Sequence, residues 1–519
     1  MSRTRSALIA ALALLLALPA GASPQAAPPR DKDPAALPGT ALAGTALPDA
    51  AATLEALAEA AGAGKAGTTA ALLATVAART AGVDRAQVLA TRGAGGDEPT
   101  VRGQAADGPD TSVALTVVGD LDGDEGQDVV ALRSDDATAE TIHVAGREGR
   151  TGATLWERSF DGQFGFVLPL DPTAGAEPAV LVVTATQQEQ QGSGSVEQTL
   201  TALRADGEVV WEDTRQGAAS ETPLSQSLLG VPVFGGLAAT ADGQGVLIGL
   251  VDLVLGPAGP EPGRTTAILL DTSTGAERGR AERRTTSQFA IPTPGPDATG
   301  DGNDDILFLL LSLDEPTVGL ALHDAATGAE VWAADDLGPG ALFGLTPVGD
   351  ATGDGVVDLA TGDAFGFDGE TTGSDLLSGR TGEVVWNRPG GFPVALGDIS
   401  GDGRADVGLL GAGPLAGRGR WSAFDGDGAL LFQRAFALGI TTPAVVTGLG
   451  LGGVGDLDGD GVPDVTVTTT DPLGDLRTPT GGLALSGATG ETLWRRATGS
   501  PTGPGTGQLL LTDVPAPGL

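Results

Sequence analysis

The chain has 519 residues, a formal net charge of −38, no cysteine, and lysine only at Lys32 and Lys65. That length suffices for one large or several ordinary domains. The charge argues against a nucleic-acid or anionic-membrane partner. The missing cysteines exclude disulfides, thiolate metal sites and a lipidated cysteine anchor.

Residues 1–22 read as a signal peptide: Arg3 and Arg5 form the charged start, Ala7–Leu18 the short apolar run, and Ala20-Gly21-Ala22 the small-residue cleavage site. The apolar run is too short to span a bilayer comfortably, so the expected product is secreted, with no membrane association after cleavage. Residues 23–112 are rich in Ala, Gly and Pro. They are expected to form a partly disordered linker, with weak helical patterns at Ala51–Ala61 and Thr69–Thr80. From about residue 113 short β-like runs alternate with Gly and Asp clusters, an all-β texture.

The clusters repeat. The first is Asp120-Leu-Asp122-Gly-Asp124-Glu-Gly126-Gln-Asp128. Matching copies are Asp297, Thr299, Asp301, Asn303 and Asp305; Asp350, Thr352, Asp354, Val356 and Asp358; Asp398, Ser400, Asp402, Arg404 and Asp406; and Asp456, Asp458, Asp460, Val462 and Asp464. These are positions 1, 3, 5, 7 and 9 of each copy. Carboxylates so close resist ionising together unless a cation sits among them. Side-chain oxygens at alternate positions, with a main-chain carbonyl at position 7, suit Ca²⁺ better than Mg²⁺. An EF-hand would need Glu at position 12 and a following helix. In the last copy position 12 is Val467, within the strand-like run Val465–Thr470. The expectation is therefore a calcium loop joining two strands, with about five Ca²⁺ per chain. The copies starting at Asp120 and Asp456 offer four carboxylates. The other three have Thr or Ser at position 3 and should bind more weakly.

Two decayed copies, "LDPTAGAEPAVLVV" and "LAATADGQGVLIGL", fill the gap between 120 and 297. Loop starts then fall at 120, 171, 238, 297, 350, 398 and 456, giving seven repeats of 48 to 67 residues. A second motif, Thr-Gly-x-x-x-Trp, follows each loop: Thr151 to Trp156, Thr327 to Trp332, Thr381 to Trp386 and Thr489 to Trp494. Looser copies end in Trp211 and Phe432, and one carries Gly279 in the Trp slot. Its glycine suits a tight hairpin turn, and the aromatic can pack between neighbouring sheets. Each repeat thus reads strand, acidic loop, strand, variable loop, strand, TG turn, strand.

Four antiparallel strands repeated seven times is a β-propeller pattern. The repeats resemble the FG-GAP repeats of the integrin α-subunit propeller. Phe164-Gly165 and Phe343-Gly344 echo the Phe-Gly of that name. The resemblance covers about 113–496 and implies a seven-bladed propeller with Ca²⁺ between the first two strands of some blades. Residues 506–514 would supply a strand near the ring's closing edge. An eighth blade, built with segments near Gln87–Gly93 and Pro99–Gln104, is the alternative. "ALHDAATGAEVW" (Ala321–Trp332) also resembles the tryptophan-docking motif of quinoprotein dehydrogenases, eight-bladed enzymes with one central Ca²⁺.

No catalytic constellation is visible, and the only histidines are His143 and His323. Strand alternation puts acidic loops and TG turns on one face. Variable loops, Gln187–Gln198, Leu255–Thr266, Thr361–Asp375 and Asp471–Gly481, fall on the other. The expected function is a monomeric secreted binding or scaffold module for an extracellular protein or glycan. A propeller-fold polysaccharide lyase or hydrolase, or a quinoprotein-like enzyme, is the alternative.

Overall fold

The computed structural model describes residues 112–497 except 119, 124–127, 135–140, 150, 163, 171–178, 191–192, 220–225, 242, 257–258, 286–287, 313–317, 338–344, 363–372, 390, 413–417, 438–457 and 471–478. The expectations for the signal peptide, the linker, the 506–514 strand and Phe343-Gly344 lie outside these residues. Among the described residues every element is a strand.

The first sheet holds β1 (Ser112–Val118), β2 (Asp128–Ser134), β3 (Thr141–Arg147) and β4 (Thr154–Asp161) in chain order. An eight-stranded sheet follows, again in unbroken order. It comprises β5 (Phe164–Pro169), β6 (Val180–Gln190), β7 (Ser193–Leu203), β8 (Val209–Ala219), β9 (Gln226–Thr240), β10 (Gly243–Gly256), β11 (Gly259–Asp271) and β12 (Glu277–Arg284). Four-stranded sheets then contain β13 (Gln288–Pro294), β14 (Ile306–Ser312), β15 (Val318–His323) and β16 (Glu330–Leu337); β17 (Thr346–Gly349), β18 (Asp358–Ala360), β19 (Ser374–Leu377) and β20 (Val384–Arg388); and β21 (Phe392–Gly397), β22 (Asp406–Ala412), β23 (Arg418–Phe424) and β24 (Leu430–Ala437). A three-stranded sheet of β25 (Val465–Thr470), β26 (Pro479–Leu485) and β27 (Thr492–Ala497) ends the series.

Chain neighbours pair antiparallel, as where Val117 faces Val129 and Leu322 faces Trp332. Middle strands are buried on both faces and are nearly continuous in apolar residues. Val180 to Val183 and all six residues of β15 are examples. Fourth strands are largely exposed, and β20 buries little besides Trp386.

Two of the four expected variable loops are strand instead. Residues 187–190 and 193–198 extend β6 and β7, with Gln190 facing Ser193. Residues 255–256 and 259–266 extend β10 and β11. These long strands explain the eight-stranded sheet, because Ala218 and Ala219 at the end of β8 reach Leu229 and Leu228 of β9. The decayed loop near 240 is a tight hairpin in which Thr240 faces Gly243.

The chain divides into two compact units. Of the described residues, one holds those up to Pro294 with Ala325–Ala329, and the other Gly295–Asp324 with those from Glu330 onward. Each has its own apolar core, around Val130, Trp156 and Val182 in the first and around Leu320, Trp332 and Leu359 in the second.

Within each unit the fourth-strand tryptophan of one repeat is latched to the TG turn of the next. Trp156 Nε1 donates to Ala205 O at 2.8 Å, Trp211 to Thr272 O at 2.6 Å, Trp332 to Gly379 O at 2.8 Å and Trp386 to Gly426 O at 3.2 Å. The turn glycine lies flat on the same indole, so a Cβ on Gly382 would come within 2.5 Å of the Trp332 ring. Where Gly279 replaces the tryptophan, the backbone moves in: Arg280 N donates to Ala325 O at 3.1 Å, and a Cβ on Gly279 would overlap that carbonyl. Where Phe432 replaces it, the ring still lies under Gly490, while fully buried Trp421 supplies the N–H to Ser486 O at 3.2 Å. Trp494 Nε1 meets no acceptor among the described residues.

Candidate metal centre

The acidic loops connect first and second strands: 119–127 between β1 and β2, 295–305 between β13 and β14, 350–357 between β17 and β18, and 398–405 between β21 and β22. The last runs into β25. Asp124, Gly126 and Asp456, and the decayed copy starting at Asp171, lie outside the described residues.

Glycines at positions 4 and 6 adopt positive φ, such as Gly401 at 79° and Gly403 at 87°. This curls the loop so that its N–H groups point inward. In the Asp398 copy Gly401 N and Asp402 N donate to Asp398 Oδ1 at 2.7 and 3.1 Å, and Gly403 N to Oδ2 at 2.8 Å. The bonds recur at Asp297 and Asp350. These donors, Gly403 N foremost, hold the Asp398 carboxyl below the usual range. Position 5 accepts from the N–H of position 7, at 2.8 Å for Asn303 to Asp301 and 2.9 Å for Val356 to Asp354 and Val462 to Asp460.

Position 9 differs in burial. Asp128, Asp305, Asp358, Asp406 and Asp464 are all at most 1% exposed, whereas Asp120, Asp122, Asp301 and Asp398 face solvent. One oxygen caps the start of its own loop, as where Asp358 Oδ2 accepts from Thr352 N at 2.7 Å. The other accepts from a glycine of the same repeat's TG turn: Gly149 N to Asp128 at 2.9 Å, Gly379 N to Asp358 at 2.8 Å and Gly487 N to Asp464 at 2.9 Å. The acidic loop and the TG turn therefore form one structure, which the sequence signalled only through similar separations of 21, 21 and 23 residues. The sixth turn, Gly426 to Gly428, is a residue shorter than Gly379 to Gly382, and Asp406 Oδ1 finds no partner among the described residues. Burial pushes the Asp358 and Asp406 carboxyls up.

Ligand oxygens of Asp120, Asp122 and Asp128 lie within 4.8 Å of one another. Oxygens on opposite sides of a Ca²⁺ at 2.3–2.6 Å stand about 5 Å apart, so the spacing fits that ion. The donor set is hard oxygen, and a buried carboxylate oxygen without a donor, as in Asp406, is the group a cation would satisfy. Two arginines also enter this layer. Arg380 reaches Asp354 Oδ2 at 3.4 Å and its carbonyl at 2.8 Å, and Arg404 pairs with Asp402 and Asp427.

The histidines contact their strand partners. His143 Nδ1 lies 3.0 Å from Ser159 Oγ, its register partner on β4. His323, buried edge-on to Phe308, has Nε2 4.0 Å from its partner Glu330.

No protein-family model matches the chain, and no curated protein matches it. Among solved structures the chain is similar to rhamnogalacturonan lyase YesW, at 15% identity over 63% of this chain and 60% of that one, TM-score 0.33. The chain thus spans about three fifths of that lyase's length. It is also similar to a europium-containing methanol dehydrogenase (14% identity, 72% and 77% coverage, TM-score 0.35) and to the Dos1 propeller (10%, 75% and 83%, TM-score 0.35).

Proposed function

We propose that this chain is a secreted seven-bladed β-propeller of FG-GAP type, stabilised by Ca²⁺ in its acidic loops, and that it works as a binding or scaffold module for an extracellular protein or glycan. The observation that carries the reading is the repeated unit itself. A loop with exposed carboxylates at its rim and a buried carboxylate at its base is tied to the next hairpin turn of the same repeat. Three or four unbalanced carboxylates would strain such a loop, and an ion held by oxygens from positions 1, 3, 5, 7 and 9 would complete it. The net charge of −38 argues against a nucleic-acid or anionic-membrane partner. The cross-strand setting of both histidines favours a binding role over general-base chemistry.

Calorimetric titration of chelator-treated full-length protein should find about five Ca²⁺. Each site adds about 1.4 kcal/mol of stability when free ion is tenfold above Kd, so chelation should lower the melting temperature strongly. Two or fewer ions, or an unmoved melting curve, would overturn the reading. Glycan and surface-protein arrays probed with and without calcium then test the binding role.

A further inference from the structure

Position 7 of a loop is asked only for a main-chain carbonyl, and in the other copies it is Gly126, Asn303, Val356 or Val462. In the Asp398 loop it is Arg404, whose side chain is paired. Nη2 lies 3.1 Å from Asp402 Oδ2 and 2.8 Å from Asp427 Oδ2, and Nη1 lies 2.9 Å from Asp427 Oδ1. The fork on Asp427 is bidentate, the geometry in which guanidinium binds carboxylate most firmly. The stem runs over Gly353, where a Cβ would come within 3.1 Å of Arg404 Cδ, and the next residue is pinned by Ala405 N donating to Asp350 O at 2.9 Å. Asp427 belongs to the shortened TG turn. That turn therefore leaves buried Asp406 Oδ1 without a donor and anchors a positive charge beside the same loop.

We propose that Arg404 is the specificity-determining residue of the Asp398 loop. Its guanidinium acts as an internal cation on Asp402, holds the loop folded when calcium is scarce, and sets the loop's calcium affinity below that of the same loop without it. Calcium enters by taking Asp402 from the guanidinium, which stays on Asp427, and by giving Asp406 Oδ1 its partner. The Asp350 loop differs. Its arginine, Arg380, comes from the TG turn, and its buried Asp358 already accepts Gly379 N–H. The inference rests on the acidic loops being calcium sites.

The test uses the full chain, stripped of metal, as wild type, Arg404→Ala and Arg404→Gln. Each is titrated with Ca²⁺ by calorimetry and melted in chelator and in millimolar calcium. Removing a charge a few ångströms from the ion should make one equivalent bind about tenfold tighter in both variants. Their melting temperatures should fall in chelator and rise more than the wild type's on adding calcium. Adding Asp406→Asn to either variant should abolish the gained affinity, which places it in this loop. If the wild type binds calcium and neither variant differs in affinity or in calcium-induced shift, the role of Arg404 is overturned and the calcium reading stands. If the wild type binds none, both fall.

Discussion

Phe432 occupies the slot that tryptophan fills in neighbouring repeats and has no N–H to give. Its ring lies under Gly490, and the hydrogen bond to the next turn comes from Trp421, 65 residues from its acceptor Ser486. Stacking and hydrogen bonding are thus separable parts of one latch. Trp332→Phe keeps an aromatic ring under Gly382 but leaves the Gly379 carbonyl without its donor. It should cost about 1–3 kcal/mol in urea denaturation, the penalty of an unsatisfied buried group. An unchanged midpoint would mean that the indole acts by packing alone. The Thr-Gly-x-x-x-Trp slots were legible because their spacing is constant. Trp421 was not, because nothing in the local sequence ties a middle-strand tryptophan to a carbonyl one repeat away.

At the scale of loops and turns, two kinds of glycine share a positive φ and differ in surroundings. Gly401, at 79°, has nothing within 4 Å of a Cβ position, whereas Gly382, at 71°, faces the Trp332 ring at 2.5 Å. Gly401→Ala should cost about 1–2 kcal/mol, the left-handed penalty alone. Gly382→Ala should cost about 1–3 kcal/mol more, because the ring must also shift. Equal costs in chemical denaturation would show that the turn does not depend on the indole face. The alternate-position carboxylates could be read from sequence as one loop joining two strands. Their burial could not: positions 1 and 9 are both Asp, and only the second begins a strand whose sides are already packed. The strand extensions at 187–190 and 193–198 were illegible for a different reason. "QQEQQGSGSVEQ" is polar, and antiparallel pairing asks for facing backbones rather than apolar side chains.

For the molecule as a whole, a net charge of −38 means that acid relieves self-repulsion as carboxylates protonate. Asp271 runs against this trend. Burial opposes its charge, yet hydrogen bonds from Ser273, Arg278 and Thr274 outweigh burial and bring its pKa down to about 2 from the ordinary 3.8. A depressed acid favours the folded state above the unfolded pKa and loses that advantage as pH falls through the folded one. The stability difference between wild type and Asp271→Asn should therefore be about 2 kcal/mol above pH ~4 and fade as pH falls through about 2. A difference independent of pH would mean that the charge of Asp271 contributes nothing. The repetition of the acidic loops was legible at this scale because glycine and aspartate punctuate it.

The latches between repeats have a consequence for how such a chain changes over generations. In five described joints the giving group is a side chain, Trp156, Trp211, Trp332, Trp386 or Trp421, and the receiving group is a main-chain carbonyl. Every amino acid carries that carbonyl, so the receiving turn is free to vary in sequence, as Ala205, Thr272, Gly379, Gly426 and Ser486 show, provided its glycine stays. A repeat joined this way can be copied, lost or exchanged without matched substitutions in its neighbour. Divergence can then accumulate in loops and strand tips while the joints stay intact.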